Sequence, residues 1–421
     1  MPNTAIFNST SDINYYASLV NSAAAAAGQP GAKGIINPEV FYSKQLLDTI
    51  RYDADMYMYH RLADEAPIQE KADKLMVRRW SPLQAHTVPL VEGVPPKSDK
   101  GSVEKYEMEA HQYGRYMEFT DKVDFKVVDP IIAHYTKEYS LVALETLDLL
   151  ARETLFSVAN KYYAGSVAGF EGLTVDSKPT LTDLRKIVLD FKTKLVKPRS
   201  NGNYHCIASP EFFFDMVSDP IVEKYMQYNN TTSTMYKNSK LVPMFDIEFY
   251  ESLMCPTSAE FYKDGKLSMR LYSVDSGGAV TYKTINTDTV VTGTSNKVAT
   301  KLVSGYVKDS RTGQDTSYIE HTATDDAYSW NIDALSAADN KTYIPLKAQH
   351  ILLVGKDALT RTGLSGEGQA KMYVKEKGSS GVLDPIDQRQ SIGFKINSVG
   401  YGCTRLDAVC DYVCVPSQIN I

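Results

Sequence analysis

The chain has 421 residues, of which 43% are hydrophobic, and its formal net charge is −6. This length is enough for one large core and favours two or more compact units. The acidic balance argues against a surface that wraps nucleic acid by neutralising phosphates. No apolar run is long enough to cross a bilayer, and no secretory signal opens the sequence, so we expect neither membrane insertion nor export by that route.

The N-terminal third contains an arm and a hairpin. Residues 1–36 are small and polar, and we predict that they form a mobile arm. Asn37 and Pro38 then suit the start of a helix. From Val88 to Asp121 the sequence changes from prolines, a glycine and charges to strand-like residues with recurring tyrosines. Two-stranded hairpins are marginal in water, so we predict that residues 74–120 pack against another copy of the chain.

A long helix is predicted after Asp129 and Pro130, which form a helix start. Its apolar positions are Ile131, Tyr135, Tyr139, Val142, Leu147, Leu150 and Phe156. Asp148 and Arg152 stand four residues apart, which predicts an ion pair along the helix. About thirty residues would make a rod of about 45 Å, which is long for a globular core.

A second unit is predicted to begin near Thr180, which with Asp183 resembles a capping box. The inward positions of its helix are Leu184, Ile187, Val188, Phe191 and Leu195. NYHCIAS and FDIEFYES predict strands, and two short helices are predicted to begin at Pro210 and Pro220. This alternation indicates a compact α/β or α+β unit.

Residues 258–344 differ from both neighbouring regions. They contain short alternating runs of Thr, Ser, Val, Tyr and Gly, which indicate strands and turns without a helical period. We predict a β-rich inserted domain here, folded as a separate lobe. The α/β pattern resumes at QHILLVGKDAL, and the chain ends in strand-like runs.

No catalytic motif is complete. Ser365 lies in GLSGEG, but Glu367 stands where an esterase elbow needs its second glycine. The same glycines fit neither the Walker pattern nor the dinucleotide fingerprint. Cys403, Cys410 and Cys414 include no Cys-x-x-Cys pair, so core packing is favoured over metal binding. The five cysteines, an odd number at irregular spacing, favour synthesis in a reducing cytoplasm.

Two further groups could carry chemistry. His205 and Cys206 are adjacent, yet both fall in an apolar strand pattern and are predicted to be buried structural residues. Asp121, Asp124 and Asp129 offer three carboxylates, and we interpret them as a turn into the capped helix. The sequence therefore predicts no catalytic, cofactor-binding or metal-binding residue and no enzymatic activity.

Several stretches are similar to one family of proteins. They are LVEGVPP with HQYGRYMEFTD, ARETLF followed by NKYYAG, LTDLRKIVLDFKTKLVKP, SPEFFFDMVSDP, ILLVGKDAL and DPIDQRQSIGFK. In this order they resemble tailed-bacteriophage major capsid proteins of the Hong Kong 97 type, also called the Johnson fold. The closer resemblance is to coat proteins of short-tailed coliphages with large virion RNA polymerases.

The resemblance implies an α+β, Hong Kong 97-type capsid fold. Its implied parts are an N-terminal arm at 1–70, an extended β-hairpin loop at 71–120, a peripheral domain with a long spine helix at 121–179 and 375–421, an axial domain at 180–257 and 345–374, and a β-rich insertion domain at 258–344. The insertion is a departure from the family pattern, and we expect it on the outer surface of the shell.

The implied function is that of a major capsid protein. Its copies would self-assemble into hexamers and pentamers of an icosahedral shell that encloses double-stranded phage DNA without sequence-specific binding and without a cofactor. Its location would be the virion capsid, after assembly in the host bacterial cytoplasm. Implied partners are a separate scaffolding protein, a portal and a decoration protein. Two alternatives stay open, an encapsulin-like nanocompartment shell and a carbohydrate-binding protein that uses the inserted β domain.

Overall fold

The computed structural model describes most of the chain between residues 56 and 417. The described ranges are 56–68, 74–81, 98–120, 131–199, 202–228, 243–263, 266–275, 277–286, 305–308, 315–321, 332–364, 368–375 and 389–417, with a few single positions between 72 and 93. All of them belong to one compact unit, 52–121 with 130–421. The predicted arm and the helix predicted at Asn37 lie outside the described residues.

The described residues form both helices and strands. The helices are α1 (Ile131–Val158), α2 (Leu181–Thr193), α3 (Pro210–Val217), α4 (Pro220–Tyr228) and α5 (Ile332–Asp339). The strands are β1 (Ala63–Ile68), β2 (Lys74–Trp80), β3 (Val103–Glu109), β4 (His111–Thr120), β5 (Asn160–Tyr163), β6 (Tyr204–Ala208), β7 (Ile247–Glu251), β8 (Thr257–Ser258), β9 (Glu260–Lys263), β10 (Lys266–Val274), β11 (Val280–Asn286), β12 (Gly305–Lys308), β13 (Asp315–His321), β14 (Ile344–Pro345), β15 (Ala348–Val354), β16 (Leu359–Leu364), β17 (Ala370–Lys375), β18 (Arg389–Cys403) and β19 (Val409–Cys414).

The first sheet, sheet 1, is organised by the 15-residue strand β18. One edge of β18 pairs antiparallel with β16 and then with β17, while its other edge pairs antiparallel with β4. Strand β1 joins the sheet in parallel with β16. Only Ala110 separates β3 from β4, so the hairpin of β2 and β3 is a continuation of this sheet.

The second sheet, sheet 2, has the order β5, β19, β15, β6 and β7, with β8 also paired to β15. Every residue of β15 and β19 is buried. Strands buried on both faces show continuous apolar runs instead of alternation, which explains the sequences HILLV and VCDYVC. The sequence prediction of a mixed unit of helices and strands in this region is confirmed.

Helix α1 joins the two sheets through a stripe of buried residues. Tyr139, Ala143 and Leu147 pack with the apolar residues of β18, whereas Ala151 and Leu155 belong to the main core around sheet 2. Residues four positions apart on a helix are offset by about 40° around its axis, so this stripe winds by about 160° over its length. The two ends of one helix can therefore face two different sheets.

The helix starts predicted at Thr180, Pro210 and Pro220 are confirmed, whereas Asp129 and Pro130 lie outside the described residues. The Thr180 hydroxyl accepts a hydrogen bond from the Asp183 amide, and the Ser209 hydroxyl accepts one from the Phe212 amide. Asp219, the residue before α4, accepts a hydrogen bond from the amide of Ile221 in the first turn of that helix. These side chains satisfy amide groups that the first turn leaves without partners.

The prediction that Leu195 is an inward position of α2 was wrong. The helix ends at Thr193, and Leu195 has a left-handed backbone (φ 56°) and is 80% exposed. The amide of Val196 donates to the Phe191 carbonyl, and Val196 takes the buried place instead. This is the closing pattern of a helix C-terminus, and the residue in the left-handed position leaves the apolar face.

The predicted ion pair between Asp148 and Arg152 was also wrong. Asp148 accepts from the amide and from Nδ1 of His60, at 2.9 and 3.0 Å. Arg152 donates to the Met254 carbonyl and to Glu153. Both side chains lie on the buried face of α1, where His60 binds Asp148 and the Met254 carbonyl binds Arg152, both from distant segments.

Residues 258–344 contain strands, as predicted, and also helix α5, which the sequence did not predict. Met269, Leu271, Ile285 and Leu335 form a small core within this segment. Phe261 and Tyr272, in contrast, belong to the main core, and Phe261 stacks on Phe170 with ring centroids 4.7 Å apart. Independent folding of the segment stays a prediction.

The winding stripe predicts a large stability effect at Leu155. Leu155→Ala should lower the free energy of unfolding by about 2–5 kcal/mol because the side chain is fully buried where α1 meets the main core. Urea unfolding followed by circular dichroism measures this change. Leu189→Ala is the matched control, since Leu189 is 65% exposed on α2 and should change stability by less than about 0.5 kcal/mol. Equal effects of the two substitutions would contradict the packing described.

Candidate assembly surfaces

The β2–β3 hairpin has two unequal faces. Alternation along β2 places Leu75, Val77 and Arg79 on a partly covered face. The opposite face carries Met76 and Trp80, which are 43% and 72% exposed. Such large apolar side chains are rarely left in water without a partner when they lie on one small surface. We call this opposite face the hairpin face.

The hairpin has no apolar core of its own beyond its base. At the base, Met108 is 4% exposed and lies over Gly402, where a Cβ atom would come within 2.2 Å of the Met108 side chain. A Cβ atom on Gly400 would come within 2.1 Å of the Glu109 carbonyl oxygen. These two glycines allow the hairpin to cross β18 at close range. Beyond the base, the described residues of the hairpin are held by the cross-strand pairs of β2 and β3 and by polar contacts such as the hydrogen bond from the Ser102 hydroxyl to the Ser81 hydroxyl.

Charges on the hairpin face are mixed. Lys74 Nζ lies 3.0 Å from Glu109 Oε1, and both side chains are at least half exposed. Exposed pairs of this kind contribute little to stability, so they do not replace an apolar core. The hairpin therefore has the composition of a surface that is completed by a neighbour.

A second apolar surface lies on α2 and the turn before β7. Phe245 is 41% exposed and Leu189 is 65% exposed, and the guanidinium of Arg185 lies 4.8 Å from the centre of the Phe245 ring. Phe245 and Asp246 both have positive φ values, 51° and 65°. This pair of conformations forms a tight two-residue turn that normally favours Asn or Gly, so Phe245 is held outward at a conformational cost.

Three buried polar side chains form a hydrogen-bonded chain of the Ser-His-Asp type in sheet 2. Ser258 Oγ lies 3.0 Å from His350 Nε2, and His350 Nδ1 lies 2.9 Å from Asp411 Oδ2. A nucleophile must be reached by its substrate, but these side chains are at most 2% exposed. These hydrogen bonds instead link three neighbouring strands, β8, β15 and β19.

Sequence reasoning missed this triad because its members are far apart in the chain. A signal was present, since His350 and Asp411 each interrupt a continuous apolar strand. Polar side chains in such strands must find hydrogen-bond partners when the strands are buried. The register of β15 and β19, which brings them together, was not readable from either strand alone.

The residues that the sequence analysis considered for chemistry lie apart or in the core. Cys206, Cys410 and Cys414 are buried, and burial raises the pKa of each thiol well above its usual range. His205 is largely buried beside Glu248 (3.7 Å), and its pKa is lowered by desolvation and by Arg199. These positions are buried or largely buried, as predicted.

Other candidate positions fall outside the described residues. Asp121, Asp124 and Asp129, and the Ser365 and Glu367 pair, belong to this group. Among the described residues, no cluster of His, Cys, Asp and Glu could hold a metal ion. The described helices include none that is long and apolar enough to cross a membrane.

Comparison with known proteins identifies the fold. No family model matches the chain, and no curated protein matches it. The capsid of cyanophage P-SCSP1u is similar with a TM-score of 0.54 and 10% identity, covering 89% of this chain and 91% of that chain. For the cyanophage Pam1 capsid the TM-score is 0.55 with 8% identity, covering 90% and 97%. For the capsid of Ralstonia phage GP4 it is 0.53 with 10% identity, covering 93% and 98%.

These three matches cover nearly the whole length of both chains. The chain therefore has a phage-capsid fold of mixed α and β elements. The expectation of such a fold is confirmed at this level. With identities of 8–10%, the likeness concerns the path of the backbone and not individual residues.

Four of the five cysteines are buried and Cys403 is partly buried, which predicts that the native thiols are unreactive. At pH 8 a thiol such as Cys403, whose pKa is raised to about 12 by burial, is ionised to about one part in ten thousand. Titration of the native protein with Ellman's reagent should show no rapid reaction, and all five thiols should react in urea. A native thiol that reacts within the first minute would show that a cysteine is accessible and would contradict the burial described.

Proposed function

We propose that the chain is the major capsid protein of a tailed phage, with the Hong Kong 97-type arrangement of parts. In this proposal its copies assemble into hexamers and pentamers of an icosahedral shell around double-stranded DNA. The observation that carries the proposal is the β2–β3 hairpin, which projects from sheet 1 with Trp80 72% exposed. The similarity of fold to phage capsids supports the same assignment.

Physical requirements of a shell agree with this hairpin. A two-stranded hairpin is marginal in water, and it becomes stable when it lies on a neighbouring surface. Shells are closed by symmetry and hold together through many modest contacts, so one pairwise interface can be weak. Copies of the chain are therefore the natural partners of the hairpin face.

We propose for the parts of the subunit the residue bounds that the sequence resemblance implies. Residues 1–70 and 71–120 would be the arm and the extended loop, and α1 would be the spine helix of the peripheral domain at 121–179 and 375–421. The axial domain would comprise 180–257 and 345–374, with the insertion at 258–344. The coliphage branch of the family is likewise proposed from the sequence resemblance.

Proposed partners are a separate scaffolding protein, a portal and a decoration protein, with assembly in the bacterial cytoplasm. An encapsulin-like shell is the alternative with the same fold, and imaging the shell contents for DNA or protein cargo distinguishes the two. Carbohydrate binding by the inserted segment would need exposed aromatic rings, and two of the tyrosines in that segment are not free to stack on a sugar. Tyr272 is 4% exposed, and the Tyr282 hydroxyl accepts a hydrogen bond from the Val175 amide.

The hairpin face can be tested by removing its apolar side chains. The double substitution Met76→Ser and Trp80→Ser should leave the subunit folded, because both side chains are exposed, and should reduce shell formation at least tenfold. Loss of about 1.5–3 kcal/mol per buried apolar side chain at every contact is the physical reason. Light scattering and negative-stain electron microscopy, with the scaffolding protein present, measure the yield of shells.

Trp80→Phe is the matched control, since it keeps an aromatic side chain at the same position and should retain most assembly. Shells formed by the double variant at the yield of the unmodified chain would refute the role of the hairpin face. Circular dichroism of each variant separates a loss of assembly from a loss of folding.

A further inference from the structure

The outer side of sheet 1, facing away from α1, carries a concavity of about 700 Å³. Its floor lies on the central strand β18 and its sides on the two edge strands β4 and β17. In the strand register, Gly393 is opposite Tyr116 on one side and opposite Tyr373 on the other. Two tyrosines thus face each other across a glycine, and we call these three residues with Gly114 the tyrosine trough.

Glycine is required at the floor of the tyrosine trough. A Cβ atom on Gly393 would come within 2.5 Å of the Arg115 carbonyl oxygen and within 2.7 Å of the Tyr116 Cβ atom. A Cβ atom on Gly114 would come within 2.8 Å of the Phe394 carbonyl oxygen. The close approach of β4 to β18 therefore excludes side chains here and leaves the floor open.

The two tyrosines are available to a ligand. Tyr116 is 69% exposed and Tyr373 is 46% exposed. They stand two strands apart, which places their backbone positions about 9.6 Å from each other. One planar ring between two others needs about 7–8 Å at van der Waals contact. The trough therefore has room for one flat ring over Gly393.

Positive charge surrounds the tyrosine trough. Arg115, Lys375, Arg389 and Lys395 line the concavity, together with the single carboxylate Glu118. Glu118 lies 3.7 Å from Arg389. Lys375 and Lys395, on the same face as the two tyrosines, have no carboxylate partner among the described residues. Arg115 is in register with Phe394, which packs against α1 on the other face. This local excess of positive charge contrasts with the net charge of −6 of the whole chain.

We propose that the tyrosine trough binds single-stranded nucleic acid. A base would stack between Tyr116 and Tyr373, and Lys375 and Lys395, which lie on the same face of the sheet, would hold the phosphates on either side. Aromatic rings on an open sheet face with basic residues around them form a sequence-tolerant platform for single strands, because every base has a flat face. A duplex keeps its bases stacked on each other and would engage only the cations.

The test uses the full chain as an unassembled subunit and a fluorescein-labelled 12-mer of deoxythymidine. Fluorescence anisotropy measures the binding constant. Its logarithm should fall with the logarithm of salt concentration with a slope of about −1.4, since two neutralised phosphates contribute about 0.7 each. A duplex of the same length should bind more weakly at equal salt. Equal binding of single strand and duplex would overturn the assignment.

Two pairs of substitutions separate stacking from charge. Tyr116→Ser with Tyr373→Ser should weaken binding about tenfold without changing the salt slope. Lys375→Gln with Lys395→Gln should make the slope shallower by about 1.4. The matched controls are Phe214→Ser, at a side chain that is 58% exposed on α3, and Lys224→Gln on α4, and both should bind as the unmodified chain does.

Unchanged binding by the tyrosine pair would overturn the proposal, because simple charge attraction would then explain the signal. Full displacement of the oligonucleotide by polyglutamate of equal charge would also overturn it, in favour of an acidic peptide as the ligand. These measurements need no shell, so their failure leaves the proposed capsid function untouched. Conversely, loss of assembly in the hairpin variants would not change oligonucleotide binding by the tyrosine trough.

Discussion

The packing of one winding stripe of α1 against two sheets is the contact on which the rest of the subunit depends. Tyr139 and Leu147 fix the first half of the helix to β18, and Leu155 fixes the second half to the main core. Because the helix has 28 residues and measures about 42 Å, it holds the two sheets in one rigid relation. Without it, sheet 1 would lose the apolar cover of its inner face.

Everything proposed for function lies on sheet 1 or on its extension. The inner face of β18 is occupied by α1, so its outer face is left for the tyrosine trough. The hairpin continues from β4 and crosses β18 where Gly400 and Gly402 allow close approach. Glycines thus act at three places along β18. Gly393 and Gly400 allow a neighbouring backbone to come close, and Gly402 makes room for the Met108 side chain.

Local features of the fold were predictable from sequence, and long-range pairings were not. The start of α2 was readable because Thr180 and Asp183 are neighbours along the chain, and α1 was readable because its apolar spacing persists over many residues. Helix α5 was missed because its eight residues lie in a stretch rich in Ser and Asp that is too short for a clear period. The partner of Asp148 was missed because His60 comes from a distant segment.

The candidate surfaces show the same division. A hairpin was predicted over residues 74–120, but only β2 and β3 form it, because β4 pairs with β18 of the same subunit. The exposure of Trp80 likewise depends on what lies beside it in space. The tyrosine trough needs the register of three strands, which no single segment contains. Sequence patterns specify which face of an element is apolar, and tertiary structure decides which polar or aromatic residues meet.

Electron cryomicroscopy of the chain expressed with its scaffolding protein can show whether the hairpin is a contact between subunits. We expect closed shells in which the β2–β3 hairpin of one subunit lies on a neighbouring subunit, with Trp80 buried at that contact. Particles that never close, or shells in which the hairpin contacts only its own subunit and Trp80 stays in solvent, would contradict this expectation.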